Sequence, residues 1–299
     1  MSPSMTSRRA LLSSIVAAAA GGPLLGPLTA SRAYAADTYL TNTMLYADPA
    51  NVEGVDFARR FKRHELLDNQ RAATPGPRLS TILAIHGGGI EPGTSELCLG
   101  IAGYQPATAE PRTGGAPLHD YWMFEGLRPA GAQPGNGDLH VTSTHNDDPV
   151  ARSLAAGSAN VLSIHGCTAA QAGLAAGAKG VVVGGRNTRL RVLLADALGR
   201  AGFSIAPGDP EDLNGDLREN ICNRTLTGEG GAQLELTYDL RKSLFNDFGG
   251  APNATSPTKR AQSTNAEFWR LVDACRGALA QMESEQLARA SIFDYIIAG

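Results

Sequence analysis

The stretch ILAIHGGGIEPGTSEL, residues 82–97, joins two local patterns through a short irregular one. Ile82–Ile85 is an apolar run of the kind a buried strand carries, while Pro92 followed by Thr94, Ser95 and Glu96 reads as the start of a helix. Between them stand one histidine, three glycines and one glutamate. His86 and Glu91 are five residues apart, which on a continuous helix would set their side chains about 140° apart. They converge only if the chain reverses, and Gly87-Gly88-Gly89 supply the backbone freedom for that reversal.

Working outward, other short apolar runs have the same strand character: STILAIH (80–86), LHVTSTH (139–145), NVLSIHG (160–166), GVVVGG (180–185) and GAQLELTY (231–238). Helical patterns fall near 94–103, 147–157, 188–202 and 265–290. Strands alternating with helices predict an α/β fold, one domain with a mixed or largely parallel sheet flanked by helices. The Gly/Pro-rich stretches 112–120, 130–138 and 249–264 read as long surface loops, and 52–63 as part of a polar lead-in without periodicity.

In such a sheet, ligands gather outside the carboxyl ends of the strands. His86 ends one predicted strand there and His165 another, so the two meet at one edge with Glu91 brought back beside them. Two neutral imidazoles and a carboxylate are a frequent catalytic zinc set, which predicts one Zn2+ on His86, Glu91 and His165. In the strand AQLELTY, Gln233, Glu235 and Thr237 share one face and the leucines the other. A carboxylate on so apolar a strand needs a purpose, and Glu235 is the expected base for water activation. His140 and His145 fall on opposite faces of their predicted strand. His145, before Asn146-Asp147-Asp148, is the one assigned to the substrate, with Arg186 as a further carboxylate contact. His64 and His119 show no metal spacing and are expected at the surface.

The first 35 residues form a separate unit. Arg8-Arg9, an Ala/Leu stretch and the ending Ala33-Tyr34-Ala35 predict a cleaved export signal of the twin-arginine kind, with 36–299 as the working domain and a secreted product. Removing Arg8, Arg9 and Arg32 and no acidic residue takes the formal charge from −3 to −6. That balance argues against nucleic acid or an anionic membrane as partner. With 299 residues, 42% of them hydrophobic, the chain can bury one sizeable core, and a monomer is expected. Four cysteines, 98, 167, 222 and 275, allow three disulfide connectivities. Cys167–Cys222 is the pairing expected, because both flank candidate site residues.

Rival motifs fail. HGGG occurs in esterases, but no GxSxG nucleophile accompanies it; neither GxGxxG nor GxxxxGK[ST] is present. Taken together, HGGGIEPGTSEL, DLHVTSTHNDDP, SIHGC and NICNRTLTGEGGAQLEL resemble the bacterial and phage poly-γ-glutamate hydrolase family, in order from about Val52 to Leu244. The resemblance implies a carboxypeptidase-like zinc peptidase that cuts γ-amide bonds, with His86, Glu91 and His165 on zinc and Glu235 as general base. Asn223 and Arg224 are carried as contacts for a substrate carboxylate or oxyanion. The stretch RTGGAPLHDYW is longer than in compact members, and the tail after about Asp247 lies outside the resemblance. Two other readings remain open. One is a zinc amidase or carboxypeptidase acting on cell-wall peptides; the other is a binding protein with a degenerate metal site.

Overall fold

The computed structural model describes residues 37–63, 79–114, 117–207, 213–249 and 259–298. The expected export signal and His64 lie outside that set. Six strands, β1 (Phe57–Lys62), β2 (Ser80–Gly88), β3 (Asp120–Gly126), β4 (Asn160–Cys167), β5 (Val181–Gly184) and β6 (Ala232–Thr237), form one mixed sheet in the order β1-β3-β2-β4-β6-β5. The four inner strands are parallel, and the two edge strands, β1 and β5, run antiparallel to their neighbours. The α/β class and the mixed sheet are therefore as expected.

The helices are α1 (Asn42–Ala47), α2 (Thr94–Ala102), α3 (Pro149–Ala156), α4 (Thr188–Arg200), α5 (Tyr238–Ser243), α6 (Lys259–Gln262) and α7 (Ala266–Ala298). One sheet face is covered by α2, α4 and α7, over Ile82, Ala84, Met123, Leu162, Ile164, Leu234 and Leu236. On the opposite face lie α3 and the segments 139–145 and 221–223, against Leu83, Ile85, Trp122, Phe124 and Val161. Burying a side chain such as Phe124 stabilises the fold by about 1.5–3 kcal/mol. The alternation of 82/84 and 83/85 between the two clusters is the period-2 signature of a strand buried on both sides.

Two strands were not expected. β1 arises in the polar lead-in and β3 in a stretch that shares only Asp120 with the expected loop 112–120, and β3 is wholly buried. Conversely, 139–145 is not a strand. It is a pair of 3₁₀ turns, Asn136–Leu139 and Ser143–His145, joined by extended backbone. Its alternation of apolar and polar residues serves packing only: Leu139 and Val141 enter the core, while the Val141 carbonyl accepts from a side chain, His86, and not from a ladder.

The pairing of β2 with β3 shifts between Ala84↔Met123 and Gly87↔Glu125, so that Ile85 and His86 together oppose the single residue Phe124. This is a β-bulge, and a bulge re-aims side chains. Without it, strict alternation would send His86 to the α2 side with Ile82 and Ala84. With it, Ile85 and His86 both turn toward the face of Leu83. Beyond the bulge Gly88 takes φ +66°, and a Cβ there would stand 2.5 Å from the Gly126 carbonyl oxygen. Glu91 N–H then donates to the His86 carbonyl at 2.9 Å, which closes the reversal that the glycines were expected to make.

Gly88→Ala is expected to cost about 1–3 kcal/mol, from the positive φ and the crowding against β3. A urea titration reads this as a lowered midpoint at unchanged slope. A midpoint equal to wild type would show that the reversal accepts a side chain.

Candidate metal and catalytic site

Strand alternation puts Ser163 and His165 of β4, and Gln233 and Glu235 of β6, on the same face as the re-aimed His86. His165 and Glu235 are directly paired across the two parallel strands. Glu91 arrives from the reversal, and His86, Glu91 and His165 offer ligand atoms that all lie within 4.8 Å of one another. His86 Nδ1 is 2.9 Å from Glu91 Oε1 and 3.2 Å from His165 Nδ1, and the Gly166 N–H donates to Glu91 Oε2 at 2.8 Å.

The outer nitrogens of both rings are anchored. His86 Nε2 lies 2.9 Å from the Val141 carbonyl, and since a carbonyl only accepts, Nε2 carries the hydrogen. His165 Nε2 meets Ser163 Oγ at 2.8 Å. Anchoring of this kind fixes ring orientation and leaves Nδ1 to face inward, the arrangement found around metal-ligating histidines.

Electrostatics agree with a cation-shaped set. Burial would raise the Glu91 carboxyl, but the charge and hydrogen bond of His86, helped by His165 and His140, hold it at about 2. Burial works against the His86 cation, yet Glu91 raises its pKa. His165 is pushed down to about 3 by burial and by the neighbouring His86 and His140, against the pull of Glu91. His86 Nδ1 thus faces two inward-pointing atoms, Glu91 Oε1 and His165 Nδ1. A divalent cation would satisfy all three donors at once, so the residues fit a metal ion.

Glu235 is buried, and burial together with the charge of Glu91 raises its pKa well above the ordinary carboxyl value, with Arg241 acting the other way. Gln233 Nε2 donates to Glu235 Oε1 at 3.1 Å and is itself held by the Leu213 carbonyl at 3.0 Å. A carboxyl with raised pKa, fixed beside a metal-binding cluster, is equipped to take and return a proton.

The remaining expected contacts lie as follows. His145 is exposed, whereas the ring of His140 packs on His86 with centroids 3.9 Å apart and its Nδ1 is 2.7 Å from Asp37 Oδ1. Asn223 spends its amide on backbone: Nδ2 donates to the Gly215 and Leu217 carbonyls, and Oδ1 accepts from Arg186 N and Gly231 N. It clamps a loop. The exposed Arg186 reaches the Asp216 carbonyl at 3.2 Å. Half-buried Arg224 donates to the Glu219 carbonyl, and burial followed by the nearby charge of Arg152 lowers its pKa. The like charge of Arg152 disfavours the Arg224 cation as long as no anion accompanies it. His119, expected at the surface, is buried with Glu283 at 3.6 Å; it stands just before β3, and its N–H donates to the Ala102 carbonyl at the end of α2.

The expected Cys167–Cys222 bridge is absent. Both are free thiols packed in separate apolar clusters, Cys167 with Val182 and Ala206, Cys222 with Ile221 and Val161. Four contributors had no sequence reading: Arg241, Ser163, Asp37 and the carbonyl of Val141. Ser163 alone left a local signal, standing two residues before His165 and hence on its face.

The poly-gamma-glutamate hydrolase family profile matches residues 63–274, starting later and ending further along than the motifs suggested. The SPbeta prophage-derived UPF0714 protein YoqZ of Bacillus subtilis strain 168 is 32% identical over 245 residues, 76% of this chain and 79% of that one. UPF0714 protein YndL of the same strain is 32% identical over 193 residues, 64% of each. Among solved structures, a bacteriophage poly-gamma-glutamate hydrolase superposes with TM-score 0.62 at 26% identity, covering 83% of this chain and 99% of its own. The zinc-free apo form of YndL follows with TM-score 0.61 at 28% identity, covering 82% and 98%.

Replacing His86, Glu91 or His165 by Ala is expected to abolish tight divalent-metal binding, and Ser163→Ala to weaken it about 10–100-fold through loss of ring anchoring. Calorimetric metal titration of the purified variants measures both. A His165→Ala protein that still takes up one equivalent tightly would refute the ligand set.

Proposed function

Since the chain belongs to the poly-γ-glutamate hydrolase family, we propose that it is an exported, zinc-dependent amidase that opens the γ-glutamyl amide bonds of poly-γ-glutamate. The observation that carries this reading is the buried His86–Glu91–His165 cluster with Glu235 paired beside His165 on the next strand. Zinc suits two imidazoles and one carboxylate, and when bound it supplies Lewis acidity to a carbonyl and acidifies a water.

The chain's own residues then divide the work. Glu235, steadied by Gln233, accepts a proton from the attacking water and hands one to the leaving amine. Burial and the charge of Glu91 raise its proton affinity, which favours return of the proton to the leaving amine. Arg224, which feels the like charge of Arg152, would take a carboxylate of the polymer, because a guanidinium fork bonds both oxygens. The turn that precedes Arg224 packs on β4 and β6, the strands of His165 and Glu235, which supports that role. A chain of net charge −3, or −6 once residues 1–35 are removed, must hold a polyanion through such local cations and not through its overall field.

Export rests on Arg8-Arg9 and the Ala33-Tyr34-Ala35 ending. A cut after Ala35 would leave Asp37, the partner of His140, in the mature protein.

Incubation with poly-γ-glutamate, an α-linked polyglutamate and cell-wall peptides, with and without a chelator, tests the substrate. We expect the γ-linked polymer to shorten and release new amine ends, and the chelator to stop it. Cleavage of the wall peptides alone would favour the amidase alternative, while no cleavage by the metal-loaded protein would favour a binding protein. Glu235→Gln is expected to keep its metal and lose turnover by about 10²–10⁴-fold; a near-normal rate would remove Glu235 from catalysis. For export, Arg8→Lys with Arg9→Lys should block release of the mature protein, and undiminished secretion would refute the twin-arginine route.

A further inference from the structure

Arg241 stands on α5, immediately after the strand that carries Glu235, and is 5% exposed. Thr237 caps the helix by accepting from the Leu240 N–H, and this turns the side chain of Arg241 back over the end of the sheet. Its Nη1 donates to the Pro92 carbonyl at 2.7 Å, and its Nε donates to the Leu236 carbonyl at 3.2 Å. The guanidinium also lies against Gly166 so closely that a Cβ on that residue would fall 2.6 Å from both Nε and Nη2.

These three positions have one property in common. Pro92 follows Glu91, Gly166 follows His165 and Leu236 follows Glu235. A single rigid cation thus touches the backbone one residue beyond two of the metal-binding side chains and beyond the base, on three separate segments. Gly166 closes the circuit from its other side, donating its N–H to Glu91 Oε2 at 2.8 Å.

We propose that Arg241 is the positioning residue of this site: its guanidinium, seated on Gly166 and bonded to the Pro92 and Leu236 carbonyls, sets the spacing between Glu91, His165 and Glu235. The chemistry requires arginine. A planar fork with donors at fixed angles spans two carbonyls from different segments, whereas the ammonium of lysine is a point charge on a flexible stem and meets one. Glycine at 166 is required in turn, since any side chain there displaces the fork. The assignment rests on the proposed hydrolase reading for its kinetic consequence, but not for its effect on metal affinity.

The test compares wild type, Arg241→Lys, Arg241→Ala and Gly166→Ala as full chains. Four quantities are read: zinc affinity by chelator competition, kcat and KM on poly-γ-glutamate, and melting temperature without metal. Arg241→Lys is expected to weaken zinc binding about 10–100-fold, as loss of ligand support does. It should also lower kcat by about 10², as a misplacement near 1 Å does, with KM close to wild type. Gly166→Ala, which keeps the arginine but pushes it off its seat, should reproduce that pattern. Methylguanidine added to Arg241→Ala should restore part of both losses.

Variants that melt earlier yet keep wild-type zinc affinity and kcat would overturn the proposal and make Arg241 a fold residue only. If Arg241→Ala does not fold, Arg241→Lys and Gly166→Ala decide between the two roles by the same measurements. If wild type binds zinc but leaves the polymer intact, the substrate reading fails and the zinc-affinity arm still decides the role of Arg241.

Discussion

The doubled residue of β2 opposite Phe124 turns His86 from the face of Ile82 and Ala84 to the face that bears His165 and Glu235. His165 and Glu235 are neighbours by parallel register alone, because equivalent positions of adjacent parallel strands share a face. His86 lies on a strand whose regular alternation points the wrong way. A local departure from regularity therefore serves as the join between one core, which needs Ile82 and Ala84 under α2, and a site built on the other side.

Gathering Glu91 and Glu235 in one buried place sets up a charge conflict, and the surroundings resolve it unequally. Glu91 has two imidazoles and a backbone N–H, and stays ionised at about 2. Glu235 has a neutral amide from Gln233 and the field of Glu91, and its pKa rises. Two carboxyls whose environments drive their proton affinities apart take different tasks, one as ligand and one as proton carrier. The buried cation Arg241 stands beside both segments and tempers the repulsion that burial sharpens.

The legible parts of the molecule were those whose cause is local. β2, β4, β5 and β6 announce themselves as apolar runs, and α2, α3, α4 and α7 as periodic ones, so the sheet's four readable strands and the residues at their carboxyl ends could be named from sequence. The Gly-Gly-Gly reversal could be inferred because only such a backbone returns Glu91 to His86. β3 escaped because its flanking Pro and Gly residues and its acidic ends mask a strand that burial, not composition, creates. The segment 139–145 misled because it alternates like a strand while its backbone bonds elsewhere, and the packing of His140 on His86 left no trace in the sequence. Arg241 and Asp37 were invisible for a different reason: both act on residues distant in sequence, through contacts that only the closed sheet creates.

The four cysteines carry a consequence for how the chain meets its surroundings. Each thiol is buried, and burial pushes Cys167 and Cys275 up to about 12 and raises Cys98 and Cys222 as well. Exchange with external disulfides proceeds through the thiolate, and these sulfurs furnish almost none. No cross-link among the described residues has to form before the sheet closes, and none is there to be reduced afterwards. The fold thus presents no exposed thiol to an external oxidant or disulfide.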